Sequence, residues 1–377
     1  MSKKIFLIAG EASGDLHGSR LIQSLQTHAT CPLEIYGVGG DKIRQTGALE
    51  FFDLAHFHTT GFTEAVRHIH QYAEAKKRIL NSLKKVSPDL VILIDNPGFN
   101  LILAKEIHRL GIPIVYYITP QLWAWAPKRI FKIKRTVKKV LVVFEFEKKI
   151  YEDQGIPVTW VGHPLKDFIE AAPKKKPSEN RVISLLPGSR IGEIKTLFAL
   201  FLKTARLISN AVPGTTFRVI QSPTLPRVLY EKILAELSAK SGNLTLSIVE
   251  NDSYAAIGQS DLAIVCSGTA TLECALLGTP MIICNRGSLI TYLIAKCLIL
   301  VPYIGLPNLI LNEKKMPELL QFDATPEKIS DAAIQILKNK SLQESMRNDL
   351  NEVSRRLGEK GASERAAKEI LLSLRGA

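Results

Sequence analysis

The sequence predicts an α/β protein made of two doubly wound, nucleotide-binding-type units facing one cleft. Three observations predict it. Apolar, strand-like runs alternate with helical patterns over most of the 377 residues, the pattern of parallel sheets covered by helices. That length exceeds one ordinary core and suits two domains. Finally, segments 5–15, 183–190 and 261–273 each pass from an apolar strand through a turn of small residues into a helix. Small residues at such a turn let a ligand approach the backbone, and the helix start offers unpaired N–H groups and a positive dipole to a phosphate.

The first half reads as strands at about 5–10, 34–38, 90–95, 113–118, 139–144 and 158–161. The run at 90–94, Leu-Val-Ile-Leu-Ile, has no polar alternation, as expected of a strand buried on both faces. The longest helical pattern, 62–86, carries Phe62, Ala65, Val66, Ile69, Tyr72, Ala73, Ile79, Leu80 and Leu83 as its apolar stripe. Residues 171–180, polar with two prolines, read as a linker. The alternation then restarts with strand 181–187, helix 192–210, strand 217–221, helix 226–240, strands 244–249 and 261–266, helix 269–278 and strand 280–284. Helices close the chain from 326. The expected domains are therefore 1–168 and 180–345, with helices at 346–377 packing back on the pair.

Apolar residues at 46% and charged residues at 23% exclude a disordered chain. Five cysteines show no C-x-x-C spacing, and four lie in apolar segments, so buried thiols in a reducing compartment are expected. A strand begins within a few residues of Met1, so no signal peptide is expected. The net charge of +13 is densest at 127–139, with seven basic residues and no acid. Such a run suits an anionic membrane, nucleic acid or a phosphorylated substrate, and equally a solvated helix face. Between Lys296 and Glu313 lie 16 uncharged residues broken by Pro302 and Pro307. A spanning helix needs roughly 20 apolar residues, so this segment is core or an apolar surface that touches lipid.

Asp95 ends an apolar strand, the position where ligands of open α/β sheets bind. A carboxylate there fits a general base on a sugar hydroxyl, and also a turn-stabilising or capping Asp. Arg190, after Pro187-Gly188-Ser189, fits a phosphate grip or a surface side chain in a tight turn. Ser267, Gly268 and Thr269 supply hydroxyls and backbone donors at a helix start, with Glu273 one turn along to reach ribose hydroxyls. His68 and His70 do not share a helix face and cannot chelate together. His56 and His58 have no Cys or paired acids nearby, so no metal site is expected. His17 and His163 lie near turn motifs and suit substrate contacts. Trp123 and Trp125 fit an apolar cleft better than stacking on bases, and no nucleic-acid partner is expected.

Taken in order, Gly10-Glu11-Ala12-Ser13-Gly14-Asp15, Ile94-Asp95-Asn96-Pro97, Thr119-Pro120-Gln121-Leu122-Trp123-Ala124-Trp125, Val161-Gly162-His163-Pro164, Leu186-Pro187-Gly188-Ser189-Arg190, Ser267-Gly268-Thr269-Ala270-Thr271-Leu272-Glu273 and Leu306-Pro307-Asn308-Leu309, with Gln321 beyond, resemble the lipid-A-disaccharide synthase family. The resemblance implies a GT-B fold, two Rossmann-like domains around a cleft. It implies transfer of 2,3-diacylglucosamine from UDP-2,3-diacylglucosamine to 2,3-diacylglucosamine 1-phosphate. The products are a β-1,6 tetra-acyl disaccharide 1-phosphate and UDP, with inversion and with neither metal nor cofactor. It makes Asp95 the catalytic base. Arg190, Ser267, Gly268, Thr269 and Glu273 fall on the UDP side; Ser13, Gly14, Asp15, Glu64, Asn308 and Gln321 are further substrate-binding candidates. It also implies a cytoplasmic protein held peripherally at the anionic inner face of the inner membrane, and it is compatible with a homodimer.

Three positions depart from the family pattern. Gly98 stands where a second Asp is usual, Ala126 where an Arg is usual, and Thr60 where a Met is common, while Gly61 and Glu64 are kept. Other readings are a UDP-N-acetylglucosamine 2-epimerase, a lipid-linked sugar transferase, or a non-catalytic membrane-surface protein. The epimerase's Gly-His-Arg-Glu turn is absent from the sequence.

Overall fold

The structure, a computed structural model, describes residues 2–10, 12–53, 69–169, 181–238 and 244–375. The chain forms two compact units, Met1–Asp167 with Leu357–Ala377, and Phe168–Arg356. Each is organised on a parallel sheet. In the first, β1 (Lys3–Ala9), β2 (Leu33–Gly39), β3 (Leu49–Asp53), β4 (Leu90–Ile94), β5 (Ile114–Tyr117), β6 (Lys139–Val142) and β7 (Val158–Trp160) lie in the order β3-β2-β1-β4-β5-β6-β7. In the second, β8 (Val182–Leu186), β9 (Thr216–Ile220), β10 (Leu246–Val249), β11 (Leu262–Cys266), β12 (Met281–Asn285) and β13 (Glu318–Leu320) lie in the order β10-β9-β8-β11-β12-β13.

The apolar runs explain both sheets. Every residue of β4 and β11 is buried, as a strand with helices on both faces requires. Phe6, Val91, Leu93 and Tyr116 meet Ile79, Leu83, Leu103 and Ile107 in one core cluster. In the helix Ile69–Val86 the buried stripe is Ala75, Ile79, Leu83 and Val86. Ala73, expected on it, is exposed. Residues 62–68, His56 and His58, and the expected linker 171–180 lie outside the described residues.

Two edge strands, β3 and β13, were not expected, since neither carries a long apolar run. The expected helix 192–210 is three joined pieces, Ile191–Glu193, a π-helical turn Ile194–Phe198, and Ala199–Ala211. A π turn is a local widening often found beside functional sites, and this one begins four residues after Arg190.

Helix Lys340–Arg356 runs through position 345 and buries Gln343, Met346, Leu350 and Val353 in the second unit. Helix Ala362–Arg375 belongs to the first unit. Asp167 fixes its start, because its carboxylate accepts from the N–H groups of Gly361, Ala362 and Ser363 at 2.7, 3.2 and 3.0 Å. Three orphan donors of the helix start are thereby satisfied from a distant part of the chain. Lys138 donates to the Ser373 carbonyl at 3.2 Å and Lys139 pairs with Glu369. Two of the seven cations of 127–139 thus serve internal packing.

Candidate functional site

In each sheet the strand order reverses at one place, β1 beside β4 and β8 beside β11. Beyond the carboxyl ends of such a pair the two connections leave toward opposite faces, which opens a crevice. The candidate residues follow these four strands. Ser13, Gly14 and Asp15 start the helix after β1, and Asp95 follows β4 directly. Arg190 follows β8, while Ser267, Gly268, Thr269 and Glu273 follow β11.

The three glycine turns are not alike. A Cβ on Gly10 would lie 2.3 Å from the side-chain nitrogen of Asn96. Gly10 is small so that Asn96 can lie against it, which ties the β1 turn to the β4 turn. Gly188 has φ +115, and its missing Cβ would meet the Glu193 carboxylate at 2.5 Å. Gly268 has φ +142 with nothing within 4 Å of that position. Here the backbone is open to a ligand, and a side chain would be strained.

Around Gly268 the polar groups are organised by the neighbouring strand ends. Asn285 donates to the Ser267 hydroxyl at 2.8 Å. Gln321, itself at φ +50, brackets Gly287: its oxygen accepts that residue's N–H at 3.1 Å and its nitrogen donates to the carbonyl at 3.0 Å. Gln321 therefore shapes the turn after β12, and through Asn285 it stands behind Ser267. Arg190 is half-exposed and pairs with Glu193 at 3.0 Å, while Glu193 also accepts the Ser189 N–H at 3.1 Å. Burial pushes the Cys266 thiol up to about 12; Glu193 adds to the rise and Arg190 opposes it, so both charges act at the end of β11. Glu273 is partly buried, and burial pushes its carboxyl up to about 7.

At the first crevice Asp95 and Asn96 both have left-handed backbones, φ 45 and 44, and Ile118, just beyond β5, has φ 55. A β-branched residue at positive φ is an outlier, and strain of this kind collects at functional sites. Asp95 is partly exposed. A Cβ on Gly98 would meet nothing within 4 Å, so the carboxylate usual there is lost without a steric cause.

Two of the expected ligand contacts have internal partners. Asp15 is buried and its carboxylate accepts from Gly40, Ile43 and Lys42 N–H groups at 2.9, 3.0 and 3.0 Å, holding the turn after β2. Asn308 is fully buried: its amide donates to Met316 O and Glu318 at 2.8 Å each, and accepts from Lys315 and Met316 N–H groups at 2.9 and 2.8 Å. All four hydrogen-bonding sites of an amide are then used inside the domain. Ser13 is exposed, and Gly14 packs its missing Cβ position 3.4 Å from Ala9. Glu64 lies outside the described residues.

His17 and His163 are buried, and burial lowers them to about 4 and about 3, so both are neutral near pH 7. The Nδ1 of His163 accepts the Leu165 N–H at 3.2 Å. Trp123 donates to buried Glu147 at 3.0 Å, and Arg129 lies 4.6 Å over the Trp125 ring. Among the described residues no three His, Cys, Asp or Glu side chains form a metal-ligand group, and no helix is long and apolar enough to cross a membrane.

Sequence reasoning overlooked Glu193, Asn285, Asn100 and Tyr116. Asn100 was the one with a visible signal, since it lies four residues after Asn96 of the Ile94-Asp95-Asn96-Pro97 motif.

Two doubly wound parallel sheets in one chain are the architecture of a GT-B fold. The chain is similar in fold to a putative UDP-N-acetylglucosamine 2-epimerase from Listeria monocytogenes, with TM-score 0.65 and 14% identity over 100% of this chain and 98% of that one. It is similar also to the UDP co-structure of S. aureus MnaA, with TM-score 0.70 and 11% identity over 99% and 97%. The family model described as lipid-A-disaccharide synthetase matches residues 5–372. The lipid-A-disaccharide synthase of Syntrophus aciditrophicus (strain SB) is 36% identical over 374 residues, 97% of this chain and 96% of that protein. This chain belongs to the lipid-A-disaccharide synthase family and is a glycosyltransferase. The epimerases share its fold, and the family match does not favour that alternative.

The raised Glu273 carboxyl makes a pH prediction. Its folded value near 7 lies above the ordinary 4.5. The stability it contributes is therefore full below about pH 4.5 and lost as pH rises through about 7. Glu273→Gln should gain in thermal midpoint over the parent as pH is raised from about 5 to about 8. A difference between the two that does not change with pH in thermal denaturation would contradict this.

Proposed function

We propose that this chain transfers 2,3-diacylglucosamine from its UDP derivative to 2,3-diacylglucosamine 1-phosphate, forming the β-1,6 disaccharide and releasing UDP. The observation that carries the reading is the open, left-handed Gly268 turn at the β8/β11 reversal, with Arg190 at the adjoining strand end. Backbone N–H groups at Gly268 and Thr269 and the Arg190 guanidinium bind the diphosphate, Ser267 adds a hydroxyl, and Glu273 takes the ribose. Arg190 exchanges Glu193 for phosphate when UDP arrives.

At the other crevice Asp95 accepts the proton of the acceptor's primary hydroxyl. That oxygen bonds to the donor's anomeric carbon from the face opposite the leaving group. The carbon–oxygen bond to the β-phosphate breaks, and its electron pair leaves with UDP. The negative charge growing on UDP is met by Arg190 and the Gly268 turn, groups fixed before the reaction begins. Neither metal nor cofactor is assigned a part. Ser13, at the β1 turn, is the remaining candidate acceptor contact.

Incubating the protein with both substrates should give the disaccharide by mass spectrometry, with EDTA present or absent. Asp95→Asn should keep UDP affinity and lower turnover by about 10²–10⁴-fold, the loss expected of a general base. Product that depends on added magnesium would overturn the metal-free mechanism. Near-normal turnover in Asp95→Asn with an intact thermal transition would remove Asp95 from it.

We also propose peripheral docking on anionic bilayers, on the cytoplasmic side of the inner membrane where lipid A is built. Phe131 is 52% exposed, and Lys128, Lys132, Lys134 and Arg135 around it are exposed. An apolar ring among cations combines insertion with electrostatic attraction, each cation contributing about 1 kcal/mol near such a surface. Replacing Lys132, Lys134 and Arg135 by alanine should sharply reduce cosedimentation with anionic vesicles at low salt. Equal binding to neutral and anionic vesicles at all salt concentrations would contradict the proposal.

A further inference from the structure

We propose that Asn100 and Tyr116 are positioning residues that clamp the Asp95 backbone in its left-handed conformation and thereby aim its carboxylate; this rests on reading Asp95 as the general base. The clamp converges on one atom. The Asp95 carbonyl accepts from the Asn100 side-chain nitrogen at 2.8 Å and from the Tyr116 hydroxyl at 2.7 Å. The same Asn100 nitrogen donates to the Ile94 carbonyl at 3.0 Å. The Asp95 N–H donates to Tyr117 O at 3.3 Å, and the Asn100 N–H to Asn96 O at 2.9 Å. Asn96, the second left-handed residue, is held by the space that Gly10 leaves beside its amide.

Two successive left-handed non-glycine residues are costly and persist only where the surroundings over-determine them. The strain has a use. An extended residue 95 would continue the strand and put its carboxylate on a sheet face, where helices pack. The left-handed turn ends β4 at Ile94 and leaves Asp95 partly exposed. Asn100 and Tyr116 are themselves fully buried, so they act through Asp95 and not on substrate. Phenylalanine would fill the core at 116 equally well, so the hydroxyl is present for its hydrogen bonding.

The test is a double-mutant cycle on the full chain, with turnover, KM for both substrates, UDP affinity and thermal midpoint measured for each variant. Tyr116→Phe should lower kcat about tenfold, as a slightly misplaced base does, with UDP affinity and both KM values within about twofold. It should keep the acidic limb of the pH–rate profile, because the base is intact. In an Asp95→Asn background the same substitution should have no further effect, since the clamp acts only through that carboxylate. Asn100→Ala should follow the same pattern. Wild-type kcat in Tyr116→Phe would overturn the clamp, as would an equal fractional loss with and without the Asp95 carboxylate. Undiminished turnover in Asp95→Asn alone would instead overturn the base reading beneath it.

Discussion

In both units the parallel strands reverse their order once, at β1/β4 and at β8/β11. Right-handed crossovers then send the connections of the two halves to opposite faces of the sheet. At the reversal the two connections part, and the rest of each unit is arranged around the gap this opens. Burial of β1, β4, β8 and β11 supplies rigidity below the gap, while the turns above it carry the polar and strained residues. The topology puts the ends of β4 and β8, and with them Asp95 and Arg190, at these places.

The two crevices solve different problems with similar-looking turns. At β1/β4 glycine makes room for another part of the protein, Asn96 against Gly10, and the result is a backbone locked in a costly shape. At β8/β11 Gly268 leaves its space empty, and the nearby hydroxyl and guanidinium are held in reserve by Asn285 and Glu193. A preorganised base suits the first arrangement. The second suits an anion whose arrival has to compete with an internal carboxylate.

Much of this was legible in the sequence because parallel sheets buried on both faces leave near-continuous apolar runs, and eleven of the thirteen strands among the described residues were read from the apolar alternation. Strands β3 and β13 were missed because neither carries a long apolar run. The GT-B fold and the family rested on motifs, and both stand. Polar residues were harder. Asp15 and Asn308 sit in motifs that suit ligand contacts, and the fold also gives them internal partners, Asp15 the N–H groups 25 to 28 residues away and Asn308 the chain around Met316. Gln321 holds the turn after β12. Sequence gives the donors and acceptors but not which of them meet, so saturated and available side chains look the same. Tyr116 was hidden for a related reason: in an apolar strand its ring reads as core, and only the fold brings its hydroxyl to Asp95.

The central claim is that the Gly268 turn and Arg190 form the nucleotide site. An experimental structure of the chain with UDP bound tests it most directly. The β-phosphate should lie within hydrogen-bond distance of the Gly268 and Thr269 backbone N–H groups, with the Arg190 guanidinium turned from Glu193 onto phosphate. UDP bound elsewhere, with the Arg190–Glu193 pair unbroken and the Gly268 turn empty, would contradict the account.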